Sequence, residues 1–158
     1  MKGFINLLLL FAVLTVKGNS QQAGFDKSAF YQAMAANDIV LVNAQLGVLK
    51  LAVISEKEAY EGALLMKKAG LVSKAKEKLS LFKAGRAKLE ASIKKNTGNI
   101  EFCFLRLIIQ EHAPKAVNYR NDLDNDVSAI QSNFKKLSLV VQQAVQDYSK
   151  NSKLLNLL

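Results

Sequence analysis

Cysteine occurs once, at Cys103, so no internal disulfide framework can hold this chain. Proline also occurs once, at Pro114, and runs of alternating β-branched residues are missing, which leaves little to oppose a helical reading. Tryptophan is absent and histidine is confined to His112. No run of about 18 apolar residues exists, which excludes a polytopic membrane protein. Neither G-x-G-x-x-G nor G-x-x-x-x-G-K-[ST] occurs, so there is no glycine-rich phosphate loop. Charged residues make up only 22% and apolar residues 50%, a balance that excludes a disordered chain. At 158 residues, one domain is expected.

What is present begins with an address. Met1-Lys2-Gly3 is a short positive start, and Phe4 to Val16 is apolar except for Asn6 and Thr15. That stretch suits a signal-peptide core of about 7–15 residues and is too short to span a bilayer. Cleavage after Ser20, with Gly18 at −3, or after Gly18, with Val16 at −3, satisfies the small-residue rule. Residues 1–20 are therefore read as a signal peptide and 21–158 as a single all-α domain, a retained anchor being the alternative. Lone Cys103 and the lack of an N-x-[ST] site point to a periplasmic or secreted bacterial setting. Net charge falls from +9 to +7 when Lys2 and Lys17 are removed.

The apolar period is helical almost throughout. Asp26 and Asp38 are placed to cap the first two helices. Ser55-Glu56-Lys57-Glu58 reads as a capping box opening a third helix that ends at Gly70. Ser73 opens a fourth that reaches Lys95, followed by the turn Asn96-Thr97-Gly98-Asn99. The fifth runs from Ile100 to His112, before Pro114. A sixth carries Val127, Ile130, Phe134 and Leu137, and Ser138 is placed to cap a seventh. About seven helices with short connections predict antiparallel hairpins, TPR-like or packed as an irregular bundle. The fifth helix carries Phe102, Cys103, Phe104, Leu105, Leu107, Ile108 and Ile109, with no polar face over its middle, so it is expected at the centre.

Gly85, Leu89, Ser92 and Thr97 stand at the small, large, small and turn spacing of a tetratricopeptide (TPR) second helix. Phe102, Leu105, Arg106 and Ile109 have the spacing of the following first helix. Residues 81–114 thus resemble a degenerate TPR hairpin, without the usual Pro at Thr97 and with Arg106 where a small residue is usual. More broadly, the segments from Ala59 to Gly70 and from Gln110 to Lys115 are similar to short exported helical proteins of Gram-negative bacteria. That likeness implies no activity.

Candidate sites are few. A hydrolytic triad would need His112, but that residue sits beside Glu111 at a helix end, where a donor facing the last carbonyls is the simpler account. Asp122-Leu123-Asp124-Asn125-Asp126 opens like a calcium loop, yet Val127 and Asn133 stand where Gly and Glu are required. The three acids are read as helix-opening residues instead. Arg106, mid-way along the buried helix, must be paired; the expectation is an ion pair with a carboxylate such as Glu61. The sharper alternative is an anion or ligand site formed by Arg106, Gln110 and Arg86. Between Lys67 and Lys95 ten basic residues face only Glu77 and Glu90, leaving +8. Lys74, Lys76, Lys78, Lys83 and Lys88 are the candidate surface for weak contact with anionic lipid or polyanions. No aromatic is interleaved on that face, so nucleic acid is not expected.

The reading is an exported, non-catalytic helical interaction module with no cofactor, acting on a protein or peptide. The alternative is a periplasmic small-ligand or anion-binding protein built on Arg106. A broad apolar groove favours the first; a deep pocket lined by Arg106, Gln110 and Arg86 favours the second. Intact mass of the exported protein is expected to give Gln21 as the mature N-terminus, with Asn19 the next choice. Met1 retained in a membrane fraction would overturn that assignment.

Overall fold

The computed structural model describes residues 24–157. The signal-like segment 1–20 and its cleavage positions lie outside the described residues. Asp26 opens α1 (Lys27–Ala35) by accepting the Ser28 N–H at 2.8 Å, and Asp38 opens α2 (Ile39–Leu51) by accepting that of Val40 at 2.7 Å. Five more helices follow: α3 (Lys57–Leu71), α4 (Ala75–Lys95), α5 (Ile100–His112), α6 (Leu123–Asn133) and α7 (Leu139–Ser149). Short 3-10 turns cover Lys115–Val117 and Phe134–Lys136, so α6 stops at Asn133 and does not carry Phe134 or Leu137 as the sequence pattern predicts; the chain tightens into a 3-10 turn and leaves through extended Leu137. The described residues are all-α, with seven α-helices and no strand, as the sequence pattern predicts.

Helices α3 and α4 are joined by 72–74 alone and run back along each other, since early α3 residues meet late α4 residues. Their backbones touch. A β-carbon on Gly62 would stand 2.7 Å from the Gly85 carbonyl oxygen, and one on Gly85 would stand 2.5 Å from that of Gly62. Only glycine at both positions permits this approach. Farther along, Lys88 reaches Glu58 at 2.6 Å and Glu61 at 3.2 Å. Lys88 thus braces the hairpin, and Glu61 is not the partner of Arg106. Helices α5 and α6 also run antiparallel, because Arg106 meets Asp126 while Gln110 meets Asp122.

Helix α5 is the centre of the molecule. Phe102, Phe104, Leu105 and Leu107 are at most 1% exposed, and they join Phe30, Tyr60, Leu64, Leu89, Ile130 and Val145 in one core. Asn99 caps α5 through the Phe102 N–H, and the helix ends at His112, one residue before the extended Ala113 that precedes Pro114.

Several expected boundary devices are not used. The Ser55 hydroxyl donates to Glu56 at 2.7 Å, so the capping box does not form, and Glu56 occupies the cap position without a side-chain bond. Gly70 does not stop α3; it lies inside the helix, which runs to Leu71 and leaves through extended, buried Val72. Burial of Val72 sets that exit, so no left-handed glycine is required. Lys74, rather than Ser73, stands at the cap of α4, and Ser138 holds the cap position of α7 without a side-chain bond. Among the described residues the single positive φ is at Asn118, 45°, in the turn that leads into Tyr119.

The outer face of α2 is apolar and uncovered. Val40 is 69%, Leu51 79% and nearby Val53 91% exposed, whereas Leu49 is buried. Gly47 on this helix has nothing within 4 Å of where a β-carbon would sit.

The two glycine classes predict opposite signs. Gly85→Ala is expected to destabilise by about 1–3 kcal/mol through overpacking against α3. Gly47→Ala is expected to stabilise by up to ~1 kcal/mol, the helix-propensity difference. Urea midpoints of the two variants check this; equal shifts would mean that α3 and α4 do not touch at their glycines.

Candidate functional site

The polar residues of α5 come first, because a surrounded helix has to satisfy them inside. Arg106 is 9% and Asp126 1% exposed. The guanidinium donates to both Asp126 oxygens, from Nε at 2.8 Å and from Nη2 at 2.7 Å, a bidentate pair. Its remaining edge faces Glu90 at 3.3 Å and Asp122 at 3.5 Å. Burial opposes the charged guanidinium, but Asp126 first, then Glu90 and Asp122, hold its pKa above the ordinary arginine value. Burial pushes the Asp126 carboxyl up even though Arg106 pulls it down. Cys103 lies against the same carboxylate and is half-buried; burial and Asp126 push its thiol up to about 11, so it is a poor nucleophile.

Gln110 is fully buried, and its amide donates to Asp122 at 3.1 Å. Arg86 lies over the Tyr119 ring at 4.6 Å, a cation–π contact, while the Tyr119 hydroxyl donates to Glu90. The structure therefore brings Arg106, Gln110 and Arg86 into one connected cluster, but as members of a network rather than as walls of a pocket. Three carboxylates crowd Arg106, so an incoming anion would have to displace one of them. Asp122 and Asp126, read from sequence as helix-opening acids, are the partners that the sequence did not identify. Asp122, at the cap position of α6, and Asp126, in its first turn, stand four residues apart on the side toward α5, and that spacing was the available signal.

Two further clusters were not anticipated. Glu101, 9% exposed at the start of α5, accepts from the Tyr31 hydroxyl at 2.9 Å, the Tyr60 hydroxyl at 2.8 Å and Lys27 Nζ at 2.9 Å. Burial and the Glu101 charge raise both phenols, which stay neutral donors. Glu111, at the other end, accepts from Tyr148 at 2.6 Å, Ser152 at 2.7 Å and the Lys153 N–H at 2.7 Å. Burial alone would raise its carboxyl; these hydrogen bonds outweigh it and hold the group below the usual carboxylate range. His112 Nδ1 faces the Ile108 carbonyl at 3.0 Å, the arrangement expected at a helix end.

The basic tract divides. Lys88 is occupied by Glu58 and Glu61. Lys74, Lys76, Lys78 and Lys83 are exposed, and the first turns of α4, from Ala75 to Ser80, are exposed throughout. Among the described residues no helix is long and apolar enough to cross a membrane, and no group of acidic, histidine or cysteine side chains is arranged to hold a metal ion.

There is also a large concavity. It measures about 1330 Å³ and lies between α1, the end of α3, the start of α4, the second half of α5 and α7. Its apolar wall includes Leu79, Phe82, Ile108, Leu139, Val140 and Ala144. Leu79 is 49% and Leu139 82% exposed, so the wall is open to solvent rather than sealed as core. Arg106, Gln110 and Arg86 are not among its lining residues.

Comparison with protein-family models, curated proteins and solved structures finds no match to this chain. The class of protein defined by fold and site is therefore a small all-α domain with a buried polar network about one central helix and an apolar groove beside it.

Asp126→Ala is expected to cost about 3–5 kcal/mol by leaving a buried guanidinium short of its main partner. The paired replacement Arg106→Met with Asp126→Leu is expected to cost less than the single change, because no charge is then stranded. Denaturant midpoints decide; a single-variant loss below ~1 kcal/mol would mean that the pair is solvated.

Proposed function

We propose that this chain is an exported, non-catalytic helical interaction module, TPR-like in its hairpins, whose groove takes a short apolar helix or peptide from a protein partner. The observation that carries this reading is the groove itself. Small-ligand pockets run to about 300–1,000 Å³, and this one is larger and open along one side. An α-helix is about 10–12 Å across, so the space suits roughly three turns of one. Leu79, Leu139 and Val140 stand exposed on its walls, where an apolar helix face would cover them. The backbone approach of Gly62 and Gly85 supports the small-residue position in the TPR spacing. Export rests on the pattern of Met1 to Ser20. The carrier reading draws no comparable support, since Arg106 is already surrounded by carboxylates.

Titration of the isotope-labelled protein with an uncharged amphipathic peptide of Leu, Ala and Gln tests the groove. Amide shifts are expected at Leu79, Phe82, Leu139 and Val140. Leu139→Asp is expected to weaken binding at least tenfold, with helicity unchanged. Shifts confined to Val40, Leu51 and Val53 on α2 would move the interaction surface and overturn the assignment.

A further inference from the structure

Resting on the groove reading, we infer that the groove's partner is an acidic amphipathic helix that places a carboxylate against Lys67. Lys67 lines the groove at the end of α3 and is half-buried. Its ammonium has one polar contact, the Asn37 amide oxygen at 3.3 Å. Among the described residues it makes no ion pair; most lysines here also lack one, but Lys74, Lys76, Lys78 and Lys83 are exposed to water whereas Lys67 is partly buried. Burial already lowers its pKa, the direction expected of a cation losing water without gaining a counter-ion. Lys78 stands on the same side of the groove, one turn into α4.

The opposite wall offers no excess negative charge. Its acid, Asp147, is held by Lys150 at 2.6 Å and by Gln143 at 2.9 Å. The groove is thus apolar on its floor and positive on one rim. An occupant that neutralises both features has an apolar stripe flanked by Glu or Asp. The outer face of α2 from a second copy does not meet this requirement. It is apolar, but its one charged residue is Lys50, and the preceding Asp38 is engaged in capping. A lipid chain meets it poorly too. Ser28, Gln32, Asn37, Gln143 and Asn151 are set among the apolar lining, and these can hydrogen-bond a peptide but not a hydrocarbon tail.

The test uses the protein as exported and isolated from its native envelope and two synthetic helical peptides with the same leucine stripe, one flanked by Glu and one by Lys. Fluorescence anisotropy at physiological salt reads their affinities. The Glu peptide is expected to bind at least tenfold more tightly. Lys67→Gln should weaken the Glu peptide about tenfold and leave the Lys peptide unchanged. Lys76→Gln, a change outside the groove, should alter neither. Leu139→Asp should abolish binding of both; Leu139 is exposed at the first position of α7, where Asp suits the helix N-terminus. Equal affinity for the two peptides, lost in Leu139→Asp, would overturn the acidic partner while the groove stands. Equal effects of Lys67→Gln and Lys76→Gln would show diffuse charge attraction and overturn the Lys67 contact. No binding of either peptide would overturn the groove reading itself. Phosphatidylglycerol vesicles bound through Lys67 and Leu139, with both peptides unbound, would replace the protein partner by a membrane.

Discussion

Helix α5 has almost no solvent-facing surface on which to place its polar side chains, and the arrangement of the other helices follows from that constraint. Glu101 at its start is tied to α1 and α3 through Lys27, Tyr31 and Tyr60. Arg106 in its middle is tied to α4 and α6 through Glu90 and Asp126. Glu111 near its end is tied to α7 and the tail through Tyr148 and Lys153. Apolar burial is non-directional and would accept several packings of these helices. The charged contacts are directional, and stranding a buried one such as that of Arg106 or Glu101 costs several kcal/mol by typical values. Each therefore selects the neighbour and the register that the hydrophobic surface alone leaves open.

The α3–α4 hairpin imposes a second, purely steric constraint. With glycine on both sides of the contact, the two backbones meet where every other residue would collide. That close crossing is near the middle of α4, and only Gly85 and Leu89 on this helix are buried. The helix is pinned at its centre and second half, by the glycine contact and by Lys88. Its first turns, Ala75 to Ser80, lie beyond the pin and stay exposed. Leu79 and Phe82 face the groove for this reason. The groove results from where the glycines fall in the sequence, together with the docking of α7 by Glu111.

Local signals carried far in the sequence, and long-range ones did not. Both ends of α5 were legible, because Asn99 and Pro114 act through adjacent backbone groups. The caps at Asp26 and Asp38 were legible for the same reason. The Ser55 box failed because serine had a nearer acceptor in Glu56, and Gly70 failed as a stop because the burial of Val72 set the exit. That Arg106 needed a carboxylate was legible from its place on an apolar helix. Which carboxylate was not, since Glu61, Glu90, Asp122 and Asp126 all lie on neighbouring helices and only the packing angle chooses among them. Glu101 was invisible as a hub because a single acid in a first helical turn has an adequate local explanation in the helix dipole.

The same distinction separates the two candidate sites. Arg106, Arg86 and Gln110 carry chemistry that can be recognised residue by residue, and the fold spends it internally. Every strong donor of Arg106 faces a carboxylate, and the Arg86 guanidinium lies over an aromatic ring. Lys67 draws no attention in sequence, as one lysine in a basic tract of ten. What sets it apart is relational: it is partly desolvated at the edge of an open apolar wall, with an amide oxygen for company. Lys27, Lys88, Arg106 and Lys150 are paired with carboxylates and the other basic side chains of α4 are exposed, whereas Lys67 is partly buried in a large concavity with an amide oxygen as its polar contact. Burial of a cation without a counter-ion costs free energy in the free protein, so on the reading proposed above an acidic partner would recover at Lys67 what the fold forgoes there.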